Sequence, residues 1–349
     1  MKKQLQVSYQ EIVSLENLFA AWQEFLAGKK KKKDVQEFGL RLADNILQLH
    51  EELANFSYRH GNYTAFNISD PKPRNIHKAC VRDRILHHAI YRQLYPFFDK
   101  TFISDSYSCR IGKGVHKALD RFKAFGYQAG KNNTRTFWVL KCDIKKFFAS
   151  IDHKILLEIL TGYIADKDIM RLLQQVIKSF NSNHPASDAL GTPPLKGGDT
   201  ARGLPLGNLT SQLFCNIYMN EFDQFVKHQL KAKYYIRYAD DFVFLSADKN
   251  QLFYFLPRAS EFLEGWLGLK LHPNKVFVQT LASGVNFLGF VNFPRHRVLR
   301  NTTSRRMFKR VKQNPENQTL QSYLGLISHG NGYKLKEKML NWYGLWQEN

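Results

Sequence analysis

Acid is scarce in this chain beside base. Its 349 residues carry 30 Asp and Glu against 51 Lys and Arg, a formal net charge of +21 at pH 7. So large an excess costs self-repulsion in the folded state and is usually retained where a polyanion neutralises it. Cysteine is scarcer still: Cys80, Cys109, Cys142 and Cys215 lie scattered, with no Cys-x-x-Cys spacing. That pattern argues against a thiolate zinc site and a disulfide framework, and fits small buried hydrophobes in a reducing cytoplasm. No apolar run approaches the length of a transmembrane helix, and Met1-Lys-Lys-Gln-Leu-Gln lacks a signal-peptide core. A membrane surface is therefore disfavoured as the polyanion, and nucleic acid is favoured. No internal repeat or long low-complexity linker interrupts the chain. At 44% hydrophobic residues it can bury a substantial core in one large or two modest domains.

What acid there is concentrates in a telling place. Tyr234-Tyr-Ile-Arg-Tyr-Ala-Asp-Asp-Phe-Val-Phe-Leu-Ser246 sets two aromatic and β-branched runs around adjacent carboxylates. Such runs with a short polar break read as a tight hairpin with Asp240 and Asp241 at its tip. A central strand would send one of two neighbouring acids into the core. At a tip, both can serve one divalent-metal site, and two-metal phosphoryl transfer needs such hard oxygen ligands. A solvated turn is the bland alternative for an isolated Asp-Asp. A third acid weighs against it: Phe137-Trp-Val-Leu-Lys-Cys-Asp143 is an apolar, strand-like run ending in a carboxylate, followed by Ile-Lys-Lys-Phe-Phe148.

An Asp closing one strand beside a hairpin that bears two more is the palm arrangement of nucleic-acid polymerases. The Tyr-Ala-Asp-Asp and Asp-Ile-Lys-Lys-Phe-Phe boxes, in this order, resemble the reverse transcriptases. The resemblance runs from the first helix to about Tyr333 and implies an α+β right hand. Fingers and palm would span residues 1–292, and a short helical thumb 293–349. It implies two Mg²⁺ ions on a ligand set of Asp143, Ile144, Asp240 and Asp241, with the three aspartates catalytic.

Around these boxes the chain reads in order. Leu15, Leu18, Phe19, Trp22, Phe25 and Leu26 form one helical stripe, and Val35, Phe38, Leu42, Ile46, Leu49 and Leu53 a second. Lys29 to Lys33, between them, is either a solvated loop or a contact to a phosphate backbone. Asp70-Pro-Lys-Pro-Arg74 argues an extended entry to a helix through Arg84, Ile85, Leu86, Ala89, Ile90 and Leu94. In Ser106-Tyr-Ser-Cys-Arg-Ile-Gly-Lys-Gly-Val-His-Lys-Ala118, Gly112 and Gly114 let backbone approach a ligand that Arg110 and Lys113 could meet. This segment resembles the fingers boxes of bacterial reverse transcriptases. There, residues matching Arg84, Arg110 and Lys113 hold the template and the incoming triphosphate. Phe148, five positions after Asp143, is either a core aromatic or, by the resemblance, the gate under the sugar that excludes a ribose 2′-hydroxyl. Asp152 reads as a helix N-cap, a further helix runs from about Asp166, and Asn181 to Arg202 reads as a long loop.

Gly203-Leu-Pro-Leu-Gly-Asn-Leu-Thr-Ser-Gln212 is the most informative box for subclass. It leads into a helix carrying Leu213, Phe214, Ile217, Phe222, Phe225 and Val226. Most reverse transcriptases have Gln-Gly-x-x-x-Ser-Pro here; this chain has Leu206 before Gly207 and Gln212 after Ser211. That departure resembles the enzymes of diversity-generating retroelements, which copy a template-repeat RNA and misincorporate opposite adenines. An aliphatic Leu206 packs but cannot donate a hydrogen bond near the sugar, so a mispaired nucleotide loses less relative to a correct one. Otherwise Leu206 is ordinary packing. Leu269-Lys-Leu-His-Pro-Asn-Lys275 resembles the box whose lysine lies near the triphosphate and can protonate pyrophosphate; a plain surface lysine is the alternative. Gly284 to Phe290 reads as a short hairpin resembling the primer grip. Thr302 to Ser304 offer an N-cap to a thumb helix with Arg305, Arg306, Lys309 and Lys312, read as gripping duplex backbone. Ser322 to Tyr333 has no chemistry assigned to it.

The resemblance thus implies RNA-templated DNA synthesis from deoxynucleoside triphosphates, cytoplasmic and without a membrane. Template RNA and cDNA would be bound, with help from a small basic accessory variability protein. The chain leaves no room after the thumb for a further nuclease or integrase domain. Two other readings stay open: a group II intron-like or phage-defence reverse transcriptase of ordinary fidelity, and a non-catalytic RNA-binding scaffold with a relict palm.

Overall fold

Local sequence signals account for most helix boundaries in the computed structural model, which describes residues 3–69, 73–181 and 201–347. Most of the Asn181–Arg202 loop, with Pro193-Pro194 and Gly197-Gly198, lies outside the described residues. The chain divides into two compact units. One comprises Met1–Ser104, Ile144–Phe225 and Ser260–Leu271, the other Asp105–Asp143, Val226–Ala259 and His272–Asn349.

The first unit is mainly helical. Ser14 caps helix Leu15–Phe25 by accepting from the Asn17 amide, and the stripe Leu18, Ala21, Trp22 and Phe25 is buried against the long helix Val81–Asp99. Asp152 and Asp166 cap helices His153–Thr161 and Lys167–Lys178, each accepting two main-chain N–H bonds. Strands β1 (Thr64–Ile68) and β2 (Arg74–Lys78) pair as a hairpin. Two expectations are corrected here. The stripe from Val35 to Leu53 is not one helix but two, Lys33–Leu40 and Leu42–Ala54, broken at Arg41 with φ −122° and ψ 43°. Gly39, a poor helix former, weakens the turn before the break, and Leu40 is left exposed. Helix Leu209–Gln224 stops before Phe225 and Val226, which lie in the wider π-turn Phe225–Gln229.

The second unit is built on an antiparallel sheet of β3 (Trp138–Asp143), β4 (Tyr234–Tyr238), β5 (Asp241–Ser246) and β6 (Phe277–Thr280), in the order β4-β5-β3-β6. Phe242, Val243, Phe244 and Leu245 are all buried, as a central strand covered on both faces requires. Helix Val115–Ala129 gives Leu119, Phe122 and Phe125 to the same core as Val139, Ile236 and Val243. A second sheet adds β7 (Val285–Phe287), β8 (Phe290–Asn292) and β9 (Arg297–Leu299). The expected hairpin is its first half, joined through Leu288 and Gly289, both at positive φ.

Three helices end the chain, Asn301–Gln313, Asn317–Ser328 and Tyr333–Gln347, around Met307, Val311, Leu320, Ile327 and Met339. The expected cap at Thr302 to Ser304 is corrected: the helix starts at Asn301 behind Arg300, with no side-chain cap. Thr303 is buried, and the Thr302 hydroxyl accepts instead from Arg300 Nε at 3.1 Å.

Candidate active site

Sheet register assembles the acids. Asp143, the last residue of β3, lies directly opposite Asp241, the first of β5, and Asp241 also pairs with Tyr238 at the end of β4. Ala239 and Asp240 make the two-residue connection, with Ala239 at φ 54°. A side chain rarely tolerates that conformation unless its surroundings fix it. Here Arg237, fully buried, donates through Nη1 to the Ala239 carbonyl at 3.3 Å and through Nη2 to Ser106 Oγ at 3.1 Å. The loop leading into β6 is anchored too: the His272 amide donates to the Asp143 carbonyl at 2.7 Å, and the Lys275 amide to the His272 carbonyl at 3.1 Å.

That anchoring aims a lysine. Lys275 Nζ stands 2.8 Å from Asp143 Oδ1, and Lys141 Nζ stands 2.7 Å from Asp241 Oδ1. Burial pushes the Asp240 carboxyl up to about 6, and the charges on Asp143 and Asp241 push the same way. Burial also raises Asp241, against which the Lys141 ammonium pulls down. Burial is the first cause for both, so these two carboxyls are held against their charge in a half-buried site. Its all-oxygen donor set suits a hard divalent cation such as Mg²⁺. Among the described residues no three acidic, imidazole or thiol side chains already converge on one ion position; lysines pair with two of the acids instead. Ile144, buried and bridged to Leu271, has only its main-chain carbonyl to offer an ion.

The other expected site residues divide by what holds them. In the second unit, Gly112 and Gly114 have φ 72° and 121°. Arg110 donates to the Ser106 carbonyl at 3.0 Å, and Lys113 lies 5.0 Å from the Tyr107 ring centre. In the first unit, main-chain bonds bring three boxes together: Leu204 N–H to the Phe148 carbonyl at 2.9 Å, and His77 N–H to the Leu206 carbonyl at 3.1 Å. Phe148 is half-buried, edge-on to Phe147 at 5.5 Å. Leu206 and Gln212 are half-buried. Gly207 sits at φ 104°, and a Cβ there would lie 2.9 Å from Ile76 Cγ2, so the position requires glycine. Arg84 is not brought to this cluster: it pairs with Asp34 at 2.5 Å and lies over the Phe25 ring. On helix Asn301–Gln313, Arg305, Lys309 and Lys312 are exposed and Arg306 is half-buried. Sequence reading missed Lys141 and Arg237. Lys141 stands two residues before Asp143, on the same strand face; Arg237 is a lone cation in an apolar strand.

Residues 69–292 match the family model described as "Reverse transcriptase (RNA-dependent DNA polymerase)". The chain is 27% identical over 294 residues to "Protein YkfC" of Escherichia coli (strain K12), covering 74% of this chain and 72% of that protein. It is 28% identical over 153 residues to "Group II intron-encoded protein LtrA" of Lactococcus lactis subsp. cremoris, covering 44% of this chain but 22% of that one. A solved structure of apo telomerase from Candida Tropicalis aligns over 71% of this chain and 57% of its own length, at 14% identity and a TM-score of 0.45.

Proposed function

The chain belongs to the reverse transcriptase family, and from that premise we propose that it copies RNA into DNA by two-metal phosphoryl transfer at Asp143, Asp240 and Asp241. The observation that carries this reading is the register pairing of Asp143 with Asp241 beside the turn that holds Asp240. Asp143 and Asp240, with Asp241 and the Ile144 carbonyl, would hold two Mg²⁺ ions. When bound, these lower the pKa of the primer 3′-hydroxyl and neutralise charge on the departing pyrophosphate. The protein's own residues do the rest. Arg237 holds the turn, and Lys275, already against Asp143, serves as the acid near the leaving group. Arg84, Arg110 and Lys113 hold the template and the incoming triphosphate. Phe148 lies under the sugar, its main-chain carbonyl bound to Leu204 of the segment that carries Leu206 and Gly207. Fingers and palm extend to residue 292, where the family match also stops, and the thumb follows.

For subclass, Leu206 and Gln212 support a diversity-generating enzyme that makes adenine-mutagenised cDNA from a template-repeat RNA, with a small basic accessory protein. A second reading, a group II intron-like enzyme of ordinary fidelity, is favoured by likeness to the intron-encoded LtrA. One experiment tests both. Purified protein receives Mg²⁺, a primed RNA template and four deoxynucleotides, and the product is sequenced. Errors concentrated opposite template adenines support the mutagenic reading, and faithful cDNA the second. If Asp240→Asn extended primers as well as wild type, the catalytic assignment would be overturned.

A further inference from the structure

A lysine in the middle of a buried strand needs a partner, because an unpaired interior ammonium is costly. Lys141 is 9% exposed and lies in β3 between Val243 of β5 and Phe277 of β6. Its ammonium lies 2.7 Å from Asp241 Oδ1. Asp143 has a lysine of its own, Lys275. Each carboxylate of the facing pair is therefore neutralised by a separate amine. A divalent cation arriving at Asp241 would share an oxygen with a like charge, and at such distances the repulsion is strong in a half-buried site.

The structure also provides somewhere for that amine to go. Lys141 lines a cavity of about 620 Å³ together with Lys275, Arg300, Asn274, Asn286 and Phe277, and no carboxylate is among its lining residues. Three cations and three amides, set against an apolar wall of Phe277, Phe293, Val298 and Leu299, can receive a backbone phosphate while the wall meets the sugar or base beside it. The flexible four-carbon stem of lysine lets one side chain serve both partners.

We propose that Lys141 is a positioning residue that exchanges partners: it neutralises Asp241 until a divalent cation displaces it, then pairs with a nucleic-acid backbone phosphate in the adjoining cavity. Metal and nucleic acid thereby tighten each other's binding, reciprocally as linkage demands. The inference rests on the polymerase reading above and adds to it the order-independent coupling of its two ligands.

The test uses the full chain and Mn²⁺ as the probe, without nucleotides, so that no turnover enters. Free Mn²⁺ is followed by electron paramagnetic resonance, with and without a primed RNA–DNA duplex, in wild type and in Lys141→Met. Wild type should bind Mn²⁺ roughly tenfold more tightly when the duplex is present. Lys141→Met, with competitor and like charge both removed, should bind Mn²⁺ roughly tenfold more tightly than wild type without duplex. Its coupling should shrink to about twofold. Unchanged or weaker Mn²⁺ binding with coupling intact would overturn the exchange and leave Lys141 a fixed counter-ion. If circular dichroism shows the methionine variant unfolded, Lys141→Gln is read by the same outcomes. Failure of every protein to bind Mn²⁺ would instead remove the metal site, and the polymerase reading with it.

Discussion

The acid centre and the basic helix Asn301–Gln313 both carry charge, but the fold treats the two kinds of charge differently. Asp143 and Asp241 are fixed by strand register, each with an ammonium within 2.8 Å, and the turn that bears Asp240 is pinned by a buried arginine. Arg305, Lys309 and Lys312 project from an exposed helix face in solvent. Charge in a half-buried, low-dielectric site acts strongly and on one geometry. Exposed charge is screened and acts by number. The first kind should therefore be irreplaceable, and the second additive.

The sharpest way to break that contrast is Asp240→Asn. We expect primer extension to fall by about three orders of magnitude or more, the scale of a lost electrostatic element in a dry site. Stability should move the other way. Asp240 titrates at about 6 in the fold against 3.8 outside it. The folded state thus holds the proton more firmly, and stability from this group is present below 3.8 and lost as pH rises through about 6. At pH 7.5 without metal, the neutral Asn should stabilise the protein by roughly 1–3 kcal/mol. A thermal melt that drops instead would show that Asp240 is not held against its charge. The same titration predicts that wild-type primer extension declines as pH falls through about 6, where the carboxylate needed for Mg²⁺ is lost, and that added Mg²⁺ shifts the midpoint lower. A pH profile at two Mg²⁺ concentrations checks this.

Between the two extremes lies the segment around Gly207, whose effect should be intermediate. A Cβ there meets Ile76 at 2.9 Å, on a backbone at φ 104°, so Gly207→Ala should cost roughly 1–3 kcal/mol of local strain. Activity should drop tens-fold while Mn²⁺ binding stays intact. Equal loss of both would make the segment necessary to the metal site itself rather than to substrate positioning alone. Leu206→Gln should act more gently, by about tenfold in misincorporation opposite adenine, equal to about 1.4 kcal/mol. Sequenced products of the two proteins on one template supply the measurement.

What could be read from sequence follows the same division between local and remote causes. The Tyr234–Ser246 hairpin, the strand ending at Asp143 and the cap at Asp152 are written in neighbouring residues, and the fold realises them, except that Asp241 opens the second strand and only Asp240 of the two acids lies in the turn. Strands β6 and β9 carry few residues and exist because a partner edge accepts them; no short window encodes that. The Lys275 contact spans 132 residues and the Arg237–Ser106 bond 131, so neither contact is visible locally. The Arg84–Asp34 pair spans fifty residues, and no short window shows it either. The Val35–Leu53 stripe keeps its helical period across the break at Arg41, because periodicity reports the face that is buried, not the continuity of the helix carrying it.

The smallest effect belongs to the exposed helix, and its form matters more than its size. If Lys309 and Lys312 act by number, Lys309→Ala and Lys312→Ala should each weaken duplex binding only a few-fold at moderate salt. Each should also reduce the slope of log affinity against log salt by about one. The double variant should show the sum, since screened charges on an exposed face do not depend on one another's geometry. Anisotropy titrations across a salt series measure all three slopes. Simple addition would confirm that this face counts charges. A double variant that lost far more than the sum would mean that the two lysines fix one phosphate together, and that the basic helix is organised as tightly as the acid centre.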